Sequence, residues 1–312
     1  MNLRIPRRRF GQLAIASAAT AVITNLAGKV VAQSAPENLY GASVSTNNTT
    51  SNINTTPNIS IKKSNVTTGQ QLSTSEVPST SVSNASTPVE TTNKSTSTQP
   101  SDRLTGLTSL SDGTLAKTSV SSSKEGNVTQ LIVTDPNTSK TTKTLKLSGF
   151  SNKNSTVESI VATKNDTLLS IISLNQGVTP FDLGTIDRTT GKVSDSNAAG
   201  LPKLDSQRRY SNLAQAQDGT IYATSLGREG ATDLVRLDLA NKSVTKVVQL
   251  SYDNEPLGND LLSLAISSSG QFYALANPNY ESTNSLFTVD IRTGVLSFVR
   301  KFDAEHITFS RA

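Results

Sequence analysis

The chain predicts an all-β domain, and three observations carry that expectation. Between residues 103 and 312, short apolar segments rich in β-branched residues alternate with turn residues. A small turn residue closes a first hairpin at Gly113, Asp166, Gly219 and Gly270, with spacings of 53, 53 and 51 residues. A second hairpin follows each of these and carries an aspartate at its turn: Asp135, Asp187, Asp238 and Asp290.

Each unit can be followed strand by strand. An apolar residue stands six positions before the first turn, at Leu107, Ile160, Leu213 and Leu264. A second strand follows the turn, as in Thr220-Ile-Tyr-Ala-Thr and Gln271-Phe-Tyr-Ala-Leu. The third strand leads into the second hairpin, from Leu131 to Asp135, Leu183 to Asp187, Leu234 to Asp238 and Leu286 to Asp290. An aspartate at a strand end hydrogen-bonds the backbone two residues on and so starts a turn. Gly191 and Gly294, four residues later, suit the left-handed position that closes such a loop. A last strand alternates, as in Val244-Thr-Lys-Val-Val and Val295-Leu-Ser-Phe-Val. Four short strands in about 50 residues are the signature of a β-propeller blade. The spacing predicts about four four-stranded blades over 103–312, with Ala214, Tyr222, Leu237, Ala265, Tyr273 and Val289 facing the cores between blades. A closed four-bladed ring is the simplest arrangement. Two others stay open: a fifth blade built from the tail at His306–Ser310 and an N-terminal piece, or an open array completed by a second chain.

The hairpin L-x-x-x-D-x-x-T-G resembles the secreted β-propeller superfamily with quinoprotein-like or surface-layer-type repeats, over about two-thirds of the chain. The resemblance implies architecture far more than activity. The chain has no Trp, and so lacks the docking motif of quinoprotein blades, which argues against a quinone cofactor. The propeller lyase that opens cyclic peptide antibiotics relies, as its family implies, on His and a divalent metal, and the single His306 argues against that activity.

Residues 33–102 read as a disordered linker. Ser, Thr and Asn fill 38 of these 70 positions, and Tyr40 is the one aromatic, so little apolar surface is available to offset ordering entropy. Pro57, Pro78, Pro88 and Pro100 extend it. Asn-x-Ser/Thr sequons such as Asn54 and Asn65 arise from the composition, and O-linked sugar on the tract is undecided. This reading makes residues 36–102 dispensable for folding. A short strand over 38–44 that pairs with the folded part is the alternative.

Residues 1–32 have the layout of an export signal: a basic start, an apolar centre from Ala14 to Gly28, and small residues before a cut near Ala32. Arg7, Arg8, Phe10 and Leu13 form R-R-x-F-x-x-L, which resembles the twin-arginine export signal. The apolar part is shorter than the ~20 residues that span a bilayer, so a removed signal is expected rather than an anchor. The resemblance implies the twin-arginine export machinery as a partner of the precursor, and a bacterial, periplasmic or extracellular destination.

That address changes the charge. The chain has 29 Lys and Arg against 24 Asp and Glu, and five of the basic residues (Arg4, Arg7, Arg8, Arg9, Lys29) lie in 1–32 without any acid. Removing them leaves 24 against 24, so a phosphate-neutralising, nucleic-acid-binding surface is not indicated. Without cysteine, disulfides, thiolate catalysis and Cys-ligated metals are excluded, and one histidine excludes multi-His metal sites. No cofactor is expected; a hard ion held by oxygen ligands, such as calcium, is what the side-chain inventory leaves open.

Candidate ligand residues fall in the expected connections between and within blades. Asp253, Glu255 and Asp260 lie in the acidic stretch 251–260, Arg208 and Arg209 in a basic one, and Tyr280 in a within-blade loop. Carboxylates and amides there suit a sugar or calcium, Tyr280 suits stacking on a sugar ring, and the arginines suit an anion. Each also reads as a solvated loop residue, and Arg208 and Arg209 as partners of Asp205. His306 reads as a structural or exposed residue. The leading expectation is an exported, non-catalytic binding or scaffolding propeller, with a polysaccharide or an envelope protein as partner. The alternatives are a propeller hydrolase or lyase using Asp253, Glu255 and Asp260, with or without calcium, and a purely structural repeat domain.

Overall fold

Five four-stranded antiparallel sheets stand around one axis in the computed structural model, which describes residues 37–45, 58–78, 103–123, 126–258 and 261–311. Residues 1–36, which include the expected export signal, and the inter-strand stretches 46–57 and 79–102 lie outside the described residues. The first three strands are β1 (Asn38–Ser45), β2 (Asn58–Asn65) and β3 (Gln71–Pro78). The second blade is β4 (Arg103–Ser109), β5 (Leu115–Ser123), β6 (Gly126–Thr134) and β7 (Thr141–Lys146). The third is β8 (Thr156–Ala162), β9 (Leu168–Asn175), β10 (Val178–Ile186) and β11 (Val193–Asp195), followed by the four-residue helix α1 (Ser196–Ala199), the one helix among the described residues. The fourth is β12 (Arg209–Gln215), β13 (Ile221–Leu226), β14 (Thr232–Asp238) and β15 (Ser243–Gln249). A two-stranded hairpin, β16 (Ser251–Tyr252) and β17 (Glu255–Pro256), leads to the fifth: β18 (Ser263–Ile266), β19 (Phe272–Ala276), β20 (Ser285–Val289) and β21 (Leu296–Lys301). The last strand, β22 (His306–Phe309), pairs with β1 and becomes the innermost strand of the first blade, in the order β22-β1-β2-β3.

The ring closes through its innermost strands. β22 lies against β4, β4 against β8, β8 against β12, β12 against β18, and β18 against β22. Five apolar clusters fill the five interfaces between blades. Ala214, Leu237, Ala265 and Val289 are buried in them as the alternation predicts, and Tyr222 and Tyr273 pack against them half-buried. Hydroxyl groups staple neighbouring innermost strands: Ala162 N–H donates to Thr108 Oγ1 at 3.0 Å, Leu213 N–H to Ser159 Oγ at 2.8 Å and Ile307 N–H to Ser263 Oγ at 3.0 Å.

The all-β propeller is therefore as expected, but two expectations are corrected. There are five blades rather than four, and the segment read as a linker supplies three strands of the first. Two of the alternatives describe the arrangement found: a strand over 38–44 that pairs with the folded part, and an additional blade built from the tail and an N-terminal piece. The reason is physical. β1 to β3 place Tyr40, Ala42, Ile59, Ile61 and Val77 against Leu104, Leu107, Leu115 and Ile132 of the next blade, so a segment with few apolar residues borrows a neighbour's apolar face. A sequence signal for this was present. Asn65-Val-Thr-Thr-Gly69 matches Asp187-Arg-Thr-Thr-Gly191, with asparagine for aspartate. Asn65 Oδ1 accepts from Thr67 N–H at 2.9 Å and Thr68 N–H at 3.0 Å, as Asp187 Oδ1 accepts from Thr189 and Thr190.

The second hairpins behave alike in the other blades. Asp135, Asp187, Asp238 and Asp290 each accept a backbone N–H, from Asn137, Thr189, Asn241 and Arg292, and these bonds hold all four carboxyls below the ordinary carboxylate range. The residue four further on takes positive φ: Ser139 (61°), Gly191 (73°), Lys242 (52°) and Gly294 (79°). At Gly294 a side chain is also excluded by space, since a Cβ would stand 1.9 Å from the Gln249 carbonyl oxygen.

Candidate functional site

The innermost strands run from the inter-blade connections at one end to the first hairpin turns at the other. Their C-terminal ends surround an axial cavity of about 340 Å³ at the turn end. Its wall is apolar (Leu107, Val161, Leu213, Leu264, Ile307), and its rim is hydroxyl- and amide-rich (Ser109, Ser111, Gln215, Gln217, Ser267, Ser268). In four blades a turn joins the innermost strand to the second. In the first blade those strands come from opposite ends of the sequence, so Arg311 and Glu37 stand at the rim instead.

Both are fixed across the mouth. Arg311 follows β22, yet its N–H donates to Ser109 Oγ of the second blade at 3.2 Å. Its Nη1 donates to the Thr163 carbonyl at 2.7 Å and to Asp166 Oδ1 at 3.2 Å in the third, and its Nη2 to Gln215 Oε1 at 2.8 Å in the fourth. Glu37 reaches the fifth blade, where its Oε1 accepts the Ser268 N–H at 2.7 Å. Burial raises the Glu37 carboxyl, partly offset by the Ser268 hydrogen bonds. Burial pushes Asp166 up, but the Ser111 hydroxyl and N–H and the Arg188 and Arg311 guanidiniums outweigh it and hold the carboxyl low.

The sequence-derived residues lie elsewhere. Asp253 and Glu255 are exposed on the β16–β17 hairpin, whose turn places Asp253 (φ 53°) and Asn254 (φ 67°) in left-handed conformations. That is the requirement of a tight two-residue hairpin, which explains the Asp-Asn pair without a ligand. Asp260 lies outside the described residues. Tyr280 is 83% exposed at the tip of a turn in which Asn277 bonds Glu281. None of Asp253, Glu255, Tyr280 and Arg208 lines the axial cavity.

Arg208 is engaged by its own blade: it donates to Asp233 Oδ2 at 2.7 Å and to Ser225 Oγ at 2.6 Å, so its partner is Asp233 rather than Asp205. Asp233 also meets Lys246 Nζ at 2.8 Å, which compensates a carboxylate 4% exposed. Arg209 is exposed at the start of β12. His306 lies at the other end of the axis from the cavity mouth. Its Nε2 is 3.2 Å from the Leu104 carbonyl, and burial pushes the imidazole down to about 4, so at neutral pH it is an uncharged donor linking β22 to β4. Among the described residues no three His, Asp or Glu side chains converge to hold a metal ion.

Sequence reasoning missed Glu37, Gln215 and Arg311, and read Asp166 as a turn residue alone. A signal for Asp166 existed: it occupies a turn position that is glycine in the three other repeats, at Gly113, Gly219 and Gly270. All four positions have positive φ, 55° at Asp166, where a side chain is disfavoured.

Five four-stranded sheets about a closed axis with a cavity at one end define a five-bladed β-propeller. No family model matches the chain, and no curated protein matches it in sequence. Among solved structures it is similar to a protein of unknown function from Bacteroides caccae, at 10% identity over 89% of this chain and 100% of that one, with a TM-score of 0.48. It is similar to TolB from Acinetobacter baumannii, at 15% identity over 86% of this chain and 54% of that one, with a TM-score of 0.49. A third is a protein of unknown function from Dyadobacter fermentans, at 11% identity over 85% and 83%, with a TM-score of 0.46. At these scores none of them bears on ligand or activity.

Proposed function

We propose that the protein is an exported, non-catalytic binding propeller whose axial cavity takes a polypeptide segment of an envelope protein. The observation that carries this reading is the rim. It presents backbone, hydroxyl, amide and carboxylate groups around an apolar wall, and it already holds an extended piece of chain through both main chain and side chain at Arg311. Pockets that bind ligands combine an apolar lining with a few placed polar groups in this way. A non-catalytic role is supported by the chemistry of the rim: its one serine–carboxylate contact, Ser111 on Asp166, is shared with Arg188 and Arg311 and has no histidine beside it, since His306 is half-buried at the other end of the axis. A polysaccharide is the second reading, favoured by the exposed Tyr280 ring.

A photoreactive residue at Gln217, on the rim, tests this in cells against the same residue at Asn241 on an outer turn. A discrete adduct with a second exported polypeptide from position 217 alone is expected, unchanged by replacing Asp253, Glu255 and Asp260 with alanine. A glycan adduct would favour the polysaccharide; no adduct, or equal adducts from both positions, would refute both. Export rests on Arg7 and Arg8. Changing both to lysine is expected to leave the precursor in the cytoplasm, and normal export of that variant would overturn the twin-arginine route.

A further inference from the structure

The structure assigns a further role to the seat that now holds Arg311. We propose that Ser310 and Arg311 form a displaceable strap over the axial cavity, and that the seat is a recognition site for an arginine side chain on the incoming segment. The proposal rests on the preceding reading of the cavity as a polypeptide site and names what that segment must carry.

Three acceptors of different kinds converge on one guanidinium: the Thr163 carbonyl, the Asp166 carboxylate and the Gln215 amide oxygen. They come from two blades, and only a flat group with donors on two nitrogens reaches all three. That geometry belongs to arginine and not to the single ammonium of lysine.

The seat is built without Arg311. Asp166 is held by the Ser111 N–H at 3.1 Å, by the Ser111 hydroxyl and by Arg188 at 3.3 Å, and the Thr163 carbonyl also accepts the Asp166 N–H at 2.8 Å. Removing Arg311 therefore leaves the acceptors in place, which lowers the cost of exchanging one guanidinium for another.

The backbone of the strap is lightly held, so the side chain in the seat is what fixes it. Beyond β22 the backbone is tied by Ser310 N–H to the Asn38 carbonyl and by Arg311 N–H to Ser109 Oγ. The Arg311 side chain is 25% exposed, so solvent already reaches the seat.

The repeat points the same way. Three of these turns carry glycine at the left-handed position; the third blade carries aspartate, which tolerates that conformation and brings a carboxylate to this guanidinium. At the rim Glu37 adds a second carboxylate and Lys164 a cation, so the preference for arginine lies in the geometry of the seat rather than in net charge.

The test titrates N-acetyl-L-arginine amide into the full chain, with N-acetyl-L-lysine amide as control, by calorimetry and NMR shifts. Arg311→Ala is expected to bind the arginine probe roughly ten-fold or more tightly than the wild type, the scale of one charge-assisted contact. Arg311→Ala with Asp166→Asn should lose that gain, and the lysine probe should not show it. Should Arg311→Ala fail to fold, Arg311→Lys keeps a cation at the rim and must still bind the arginine probe better than wild type. Equal binding by wild type and variant, or equal binding of both probes, overturns the strap and the seat. If adducts from position 217 persist while the probe fails, the strap falls and the cavity reading stands; if both fail, both fall.

Discussion

Lys117 lies on β5 between Leu107 and Ile132 of the flanking strands, fully buried, and its Nζ has no hydrogen-bond partner among the described residues. Burial pushes its amine down to about 8, from an ordinary value of 10.5. Between those values the unfolded chain holds the proton and the folded chain sheds it, so this residue makes stability rise as pH climbs from about 8 to 10.5. Below 8 the full cost of a buried cation is carried. Lys117→Met keeps the stem and removes the charge, and is expected to stabilise the fold at pH 7 by roughly 1–4 kcal/mol in urea unfolding. The variant should also lose the rise in stability above pH 8; an unchanged midpoint and an unchanged pH profile would show that the amine finds water.

The elements owe their form to two kinds of position with different tolerance. Leu237 on β14 is buried at 3% exposure in the cluster between the third and fourth blades. Leu237→Asp places a carboxylate there without a partner and is expected to cost more than about 3 kcal/mol, enough to unfold the chain in circular dichroism. Lys242 sits at the left-handed position of the neighbouring hairpin, where three other blades have glycine (Gly69, Gly191 and Gly294). Lys242→Gly relieves that conformation and is expected to be neutral or to gain up to about 1 kcal/mol, read from the thermal midpoint. A loss larger than that would mean the Lys242 side chain contributes a contact beyond its backbone role.

The whole molecule depends on joining its two ends. β22 alone cannot cover the faces of the second and fifth blades; β1, β2 and β3 do so with Leu39, Tyr40, Ala42, Ile59, Ile61 and Val77. Six buried apolar side chains at about 1.5–3 kcal/mol each are comparable with the whole net stability of a domain, about 5–15 kcal/mol. Deleting residues 36–102 is therefore expected to abolish the cooperative thermal transition, or to yield an associated species in sedimentation as open edges pair. A monomeric 103–312 fragment melting like the full chain would show that four blades close without the first.

How much of this was legible follows from where each signal is stored. By itself the sequence determined the strand content, the second hairpins with Asp135, Asp187, Asp238 and Asp290, the left-handed turns, and the core positions such as Leu237 and Val289, because turn chemistry and period-two alternation are local properties. Even Asn65-Val-Thr-Thr-Gly69 carried the local code, though a Ser-, Thr- and Asn-rich surround concealed it. Only the tertiary structure decided the number of blades, since that depends on whether β22 meets β1, a pairing between strands some 260 residues apart that leaves no periodic trace. It also decided the site. Glu37, Gln215 and Arg311 are unremarkable in sequence, and with Asp166 they become a rim only because ring closure brings five strand ends to one axis.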